Sequence, residues 1–275
     1  MKRIIAPTDF SSASFNAVKY AGELAGSIGG DLLLLNVVNL PLSISEVSVA
    51  DSTLSALEEE SKDELANLKE QLDALLQNKV PIEIRTAFGN LEEELGILCK
   101  EINPFAIVMN SGRESDLVRF FLGSNTFATA RHTHFPVIVV PEKSTFKPIR
   151  SIALACDLKS EIKQVTVSKF KEWLDIHNAS LDLVYVSSDM NVTLNTVAES
   201  VSMKDRFYEC HPTFHLLHTH NLESGVNDFI KDHQPGLLAV IPKDRNFLTE
   251  IFHKSFSRPF LIHPSIPVLA IAEDD

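Results

Sequence analysis

The sequence predicts an α/β protein built as two tandem, doubly wound parallel sheets of five strands each, and three observations predict it. Short apolar runs alternate with helix-length periodic stretches along the chain. The alternation occurs twice: Arg3-Ile4-Ile5-Ala6-Pro7-Thr8-Asp9 is matched by 150–157, ending on Asp157, and Pro136-Val137-Ile138-Val139-Val140 by Pro267-Val268-Leu269-Ala270-Ile271. Aspartate to proline spans 127 residues in the first segment and 110 in the second. Between the segments, 142–148 is a short polar stretch bracketed by Pro141 and Pro148, a linker composition. The expected domains are 1–143 and 147–275.

In chain order, Arg3–Ala6 reads as a strand. Ser11 or Ser12 caps a helix to about Ile28, with Ala17, Ala21, Leu24 and Ala25 on one face, and Gly29-Gly30 stops it. Asp31–Val38, with four consecutive leucines, is short and apolar enough for a parallel strand buried on both faces. A long helix over Thr53–Gln77 carries a stripe of Leu54, Leu57, Leu65, Leu68, Leu72, Leu75 and Leu76. Pro81–Phe88 alternates as a strand, and Gly89 or Asn90 opens a helix to Glu101. Phe105–Met109 is a strand, Asn125–His132 a helix and Val137–Val140 the last strand. The second half repeats this order with strands at 150–155, 181–187, 212–218, 237–241 and 267–271 and helices at 161–177, 193–202, 222–233 and 257–263. Ligands of such sheets sit beyond the carboxyl ends of the strands, where the strand order reverses.

Composition excludes several classes of function. The 275 residues carry 37 acids against 25 bases, a net charge of −12, and no basic cluster, which disfavours a nucleic acid partner. No apolar run is long enough to span a membrane. Cys99, Cys156 and Cys210 are too few and too scattered for a disulfide framework and point to a cytoplasmic location. No Walker loop, no G-x-S-x-G elbow and no metal-ligand spacing occurs, so neither catalytic residues nor a protein metal site is expected. The acids Glu58–Glu60 and Glu92–Glu94 suit the starts of helices. The histidine-rich stretch 210–220 reads as a polar strand whose histidines cannot all converge.

After the fourth strand, Met109-Asn110-Ser111-Gly112-Arg113 leads to Gly123-Ser124-Asn125, which opens a helix. Free amides at a helix start favour an anion, although a cap alone needs no ligand. The combination of Ala6-Pro7-Thr8-Asp9-Phe10-Ser11, Leu35-Asn36-Val37-Val38 and Phe121-Leu122-Gly123-Ser124-Asn125-Thr126, in a chain that repeats its βα order, resembles the universal stress protein family. The resemblance covers nearly the whole chain, more closely in the first half. It implies a Rossmann-like fold of the adenine-nucleotide-binding type. ATP or another adenine nucleotide, with Mg2+, would bind the first half, at Pro7, Asp9, Val37, Met109, Asn110, Arg113, Gly123, Ser124 and Asn125. Asp9 would face the adenine or its neighbourhood, the Val37 backbone its edge, Met109 would close the pocket, and Gly123–Asn125 would hold phosphate oxygens. The family's loop, Gly-x2-Gly-x9-Gly-(Ser/Thr), has its first two glycines replaced here by Asn110 and Arg113. Arginine tolerates left-handed backbone poorly, but its guanidinium could reach a phosphate.

The second half keeps Asp157 but has no loop glycine, with Lys254-Ser255 where Gly123-Ser124 stands in the first, so no nucleotide is expected there. The last strands of the two halves would be apolar edges, a liability that pairing them removes. That pairing makes an intramolecular pseudo-dimer like the family's dimer, which could dimerise again into a homodimer. Three functions stand at this point. One is a stress-response module binding adenine nucleotide, one a nucleotide-free scaffold for an unknown protein client, and one, least expected, a slow ATPase.

Overall fold

The computed structural model describes residues 1–39, 51–111, 129, 132–156, 162–187, 194–219, 222–241 and 265–272. The elements are β1 (Arg3–Pro7), α1 (Ser12–Ser27), β2 (Asp31–Val38), α2 (Asp51–Leu75), β3 (Ile82–Phe88), α3 (Leu91–Ile102), β4 (Ala106–Asn110) and β5 (Val137–Val140). They continue with β6 (Ser151–Ala155), α4 (Gln164–His177), β7 (Ser180–Ser187), α5 (Leu194–Arg206), β8 (Thr213–His218), α6 (Leu222–His233), β9 (Leu237–Val240) and β10 (Val268–Ala270). The helices expected at 125–132 and 257–263 fall largely or wholly outside the described residues.

All ten strands form one sheet in the order β3-β2-β1-β4-β5-β10-β9-β6-β7-β8. Each half contributes five parallel strands in the same relative order, and the halves meet where β5 pairs antiparallel with β10, Ile138 opposite Leu269. Alternate side chains of every strand feed one of two apolar layers. One layer holds Ile4, Leu34, Ile138, Leu154 and Leu269 with side chains of α1, α2, α4 and α5. The other holds Ile5, Leu33, Ile107 and Val268 with side chains of α3 and α6. The continuous apolar strands follow from this two-sided burial.

Local chemistry sets the ends of the elements. Ser11 caps α1 by accepting from the Ser14 amide. Gly29 takes a φ of +62° after the helix, and a side chain on Gly30 would strike the Lys2 carbonyl oxygen at 2.3 Å. That explains the Gly-Gly stop. Glu92, Glu93 and Glu94 occupy the first turn of α3, as expected. Glu58–Glu60 do not begin a helix: α2 starts at Asp51 and places them two turns in. The leucine stripe of α2 is also narrower than expected. Leu65, Leu68 and Leu72 are buried, while Leu75 is exposed. α5 outruns its predicted end at 202 because Met203 and Phe207 are buried, Phe207 meets Phe170 edge-on, and Arg206 donates to the Ile162 carbonyl.

The linker packs back on the first half. The Asn16 amide donates to the Pro141 and Ser144 carbonyls at 3.2 and 3.0 Å, and Phe146 meets Tyr20 edge-on at 5.3 Å. In α4, the buried Nε2 of His177 has no hydrogen-bond partner among the described residues, and its ring lies 5.6 Å from that of Trp173. Burial pushes its pKa down to about 4. An unfolded histidine titrates near 6.5, so between those values the unfolded chain binds the extra proton and stability falls as pH falls. We expect a loss of about 2 kcal/mol between pH 7 and pH 4, after allowance for partial exposure, that His177→Phe abolishes. Urea titrations across this range measure it; an identical pH slope in the variant would contradict it.

Candidate functional site

The candidate site lies where the first half's strand order reverses, between β1 and β4. β1 pairs with β4 over Ile4↔Ala106 and Ile5↔Ile107. Beyond that point the two strands turn to their outer neighbours. β1 continues through Pro7↔Leu35 and the Thr8 amide bonds the Leu35 carbonyl at 2.8 Å. β4 continues through Asn110↔Val140 and the Ser111 amide bonds the Val140 carbonyl at 3.2 Å. A crevice therefore opens at the carboxyl ends of β1 and β4.

Alternation brings Pro7, Val37 and Met109 to the same face of the sheet, the α3 face, at the carboxyl ends of β1, β2 and β4. Pro7 is buried, and Val37 and Met109 are half-buried at the margin of the apolar layer. Asn110 belongs to the opposite face. Its position in β4, opposite Val140, bears on the missing glycine: the backbone here is extended, so no left-handed residue is required. Arg113, Gly123, Ser124 and Asn125 lie outside the described residues, as does Asp157.

The turn after β1 is built by short polar side chains. Phe10 has a φ of 61°, a strained conformation for a bulky residue. The Phe10 amide bonds the Thr8 hydroxyl at 3.0 Å, and that hydroxyl also meets Ser14 Oγ at 3.0 Å. Asp9 is exposed, and its carboxylate accepts from both the amide and the hydroxyl of Ser11. Partial burial pushes the Asp9 carboxyl up, but the bonds from Ser11, aided by Ser14, outweigh it and hold the pKa below the usual carboxylate value. Asp9 is thus an acceptor fixed in its ionised form. On the α1–α2 side of this turn, a cavity of about 490 Å3 runs between Thr8, Ser11 and Phe15 and the Asn67 and Gln71 side of α2.

Sequence reading missed the residue that holds these strand ends together. Asn36, buried on the α2 face of β2, donates to the Thr8 carbonyl at 2.8 Å. Its own amide oxygen accepts from the Ser61 hydroxyl at 2.9 Å, and Ser61 in turn meets the Thr86 hydroxyl at 2.9 Å. The network ties β1, β2, β3 and α2. The available signal was a lone amide inside Asp31–Val38, since a buried polar group in an apolar strand needs partners.

The other candidate groups do not converge on chemistry. His215 bonds Asp182 at 2.9 Å and packs against Phe229 and His233. His211 ends a 3-10 turn in left-handed backbone, His218 is exposed, and His220 lies outside the described residues. No group of three histidine, cysteine or acidic side chains that could hold a metal occurs among the described residues. Cys99, Cys156 and Cys210 are not joined in disulfides, and burial pushes the Cys99 thiol up to about 12, far from a reactive thiolate. No helix among the described residues is long and apolar enough to cross a membrane.

A model of the universal stress protein family matches residues 1–141. Among solved structures, the chain is similar to a universal stress protein from Archaeoglobus fulgidus DSM 4304. The two are 16% identical, with 99% of this chain and 97% of that chain covered at a TM-score of 0.65. It is also similar to a functionally unknown protein from Pseudomonas aeruginosa PAO1, at 10% identity, 99% and 92% coverage and a TM-score of 0.58. Both likenesses extend over the two halves and concern the fold. No curated protein matches the sequence.

Proposed function

We propose, given that the chain belongs to the universal stress protein family, that it is a stress-response binding module whose first half takes up ATP or a related adenine nucleotide. The observation that carries the reading is the crevice beyond Ile5↔Ile107, flanked on one face by Pro7, Val37 and Met109. A flat, largely apolar heterocycle suits such walls, and the free backbone at the end of β2 offers the edge contacts a purine needs. Arg113 and Gly123–Asn125 would take the phosphates, which would bring any Mg2+ with them. The reading treats 147–275 as a diverged second copy with no nucleotide, joined to 1–143 as a pseudo-dimer in a cytoplasmic protein.

The function proposed is binding rather than catalysis. Asp9, the acid just beyond the end of β1, is held ionised by Ser11 and is a poor general base. The replacement of both loop glycines by Asn110 and Arg113 favours the second reading, a nucleotide-free scaffold for a protein client.

Native mass spectrometry of the purified protein followed by calorimetric titration with ATP separates the two. The expected result is one adenine nucleotide per chain. No bound nucleotide, and no heat at millimolar ATP, would leave the scaffold. In the same titration, Arg113→Gly tightens ATP binding if the loop is merely degraded; an unchanged affinity would show that Arg113 already substitutes for the glycine or that the loop is irrelevant.

A further inference from the structure

The cavity on the α1–α2 side of the turn after β1, about 490 Å3, lies across the sheet from the face that carries Pro7, Val37 and Met109. One wall is α2, where Glu64, Asn67 and Gln71 share a face at helical spacing. The side chains of these three are exposed and have no hydrogen-bond or ion-pair partner among the described residues. The other wall is made by Phe10 and Phe15, both half-buried against the apolar layer beneath α1 and α2. The volume falls in the range of small-molecule pockets, and aromatic walls with a few polar groups are their usual lining.

Charge decides what such a place accepts. Among the described residues, Glu64 is the one ionisable side chain that lines the cavity, and no lysine, arginine or histidine does. Both lysines of α2 pair within the helix, Lys62 with Glu58 and Lys69 with Asp73. The amino end of α1, which would otherwise favour an anion, is already met by the Asp9 carboxylate through the Ser11 amide and hydroxyl. Phe10 is held at a φ of 61° by the bond from its amide to the Thr8 hydroxyl. Strained backbone of this kind persists where its surroundings over-determine it, and it clusters at ligand sites.

We propose that this cavity binds a small organic cation of the amidinium or guanidinium type. Its plane lies against Phe10 and Phe15, and its N–H groups donate to the Glu64 carboxylate and to the side-chain amide oxygens of Asn67 and Gln71. A planar, delocalised cation suits these walls better than a compact ammonium does. It is more weakly hydrated, it stacks on aromatic faces, and it presents its donors in one plane to a carboxylate. The net charge of −12 draws such a cation toward the protein.

The probe is 4-fluorobenzamidine, its 19F resonance followed as the full-length protein is added, with the isosteric, neutral 4-fluorobenzamide as comparison. We expect saturable broadening with the amidine and at least about fivefold weaker binding of the amide, the joint effect of an exposed ion pair and a cation–π contact. Glu64→Gln, at an exposed position, should weaken the amidine about threefold and leave the amide unchanged. Phe10→Gly removes one wall, and glycine is at ease at a φ of 61°, so the variant should fold and still lose about threefold in amidine binding. Glu70→Gln changes an exposed acid of α2 that does not line the cavity, and should bind as the parent does. No saturable binding of the amidine, equal affinity for the two compounds, indifference to Glu64→Gln or to Phe10→Gly, or an equal loss in Glu70→Gln would overturn the proposal. ATP is absent from the experiment, so its outcome is independent of the nucleotide reading.

Discussion

Ile138→Asp unfolds the protein or parts its halves, and so does Leu269→Asp. The two residues face each other across the antiparallel β5–β10 seam, and both are fully buried in the same apolar layer. A carboxylate at either position is buried among apolar side chains, with no cation beside it in that cluster of described residues and no water to solvate it. Adding an unpaired buried charge costs about 3–5 kcal/mol even after relaxation, and the lost aliphatic packing adds to it. Against a total stability of about 5–15 kcal/mol, that removes much or all of the folding free energy. If the halves part without unfolding, β5 and β10 become apolar edges, and aggregation follows. Urea unfolding followed by circular dichroism, with size-exclusion chromatography, reads both outcomes. Ile138→Val, which keeps the shape of the strand, should cost only about 1 kcal/mol. An aspartate variant with an unchanged midpoint and elution volume would show that the seam does not hold the halves together.

The seam was legible in the sequence because its signal is local. Val137–Val140 and the run after Pro267 are short, wholly apolar and last in each half, which leaves few places for them in a parallel sheet. The same holds for β2, whose four leucines fit only a strand covered on both faces, and for the Gly29-Gly30 stop. The register of Pro7, Val37 and Met109 also follows from period-two alternation once the strands are placed. What escaped depends on partners distant in sequence. The extension of α5 comes from Phe207 meeting Phe170, and the burial of Ser61 from hydroxyl and amide groups on β2 and β3. The His215–Asp182 pair joins neighbouring strands whose register no single segment reveals. Arg113 and Gly123–Asn125, expected from the family resemblance to take phosphates, lie outside the described residues.

Asn36→Ala should lower stability and, on the proposed nucleotide-binding reading, nucleotide affinity. Asn36 is not among the residues expected to touch a nucleotide, and its amide points to the opposite face from Val37. Its bond to the Thr8 carbonyl fixes the end of β1 against β2 just before Asp9 and just beside Val37. Alanine leaves the Thr8 carbonyl without that donor and Ser61 without one of its two partners, in a place water does not readily reach. Orphaning buried polar groups costs about 1–3 kcal/mol each, so a loss near 3 kcal/mol is expected. Asn36→Asp would serve worse still, because it puts a carboxylate against the Thr8 carbonyl. The effect on binding follows from position rather than contact. A strand end free to shift by a fraction of an ångström no longer presents Asp9 and the Val37 backbone together, and ATP affinity should fall about tenfold. Measuring urea stability and ATP calorimetry on the same variant separates the two consequences. A destabilised variant that binds ATP as tightly as the parent would show that the Asn36–Ser61–Thr86 network supports the sheet alone. A stable variant that binds weakly would place Asn36 in the nucleotide site itself.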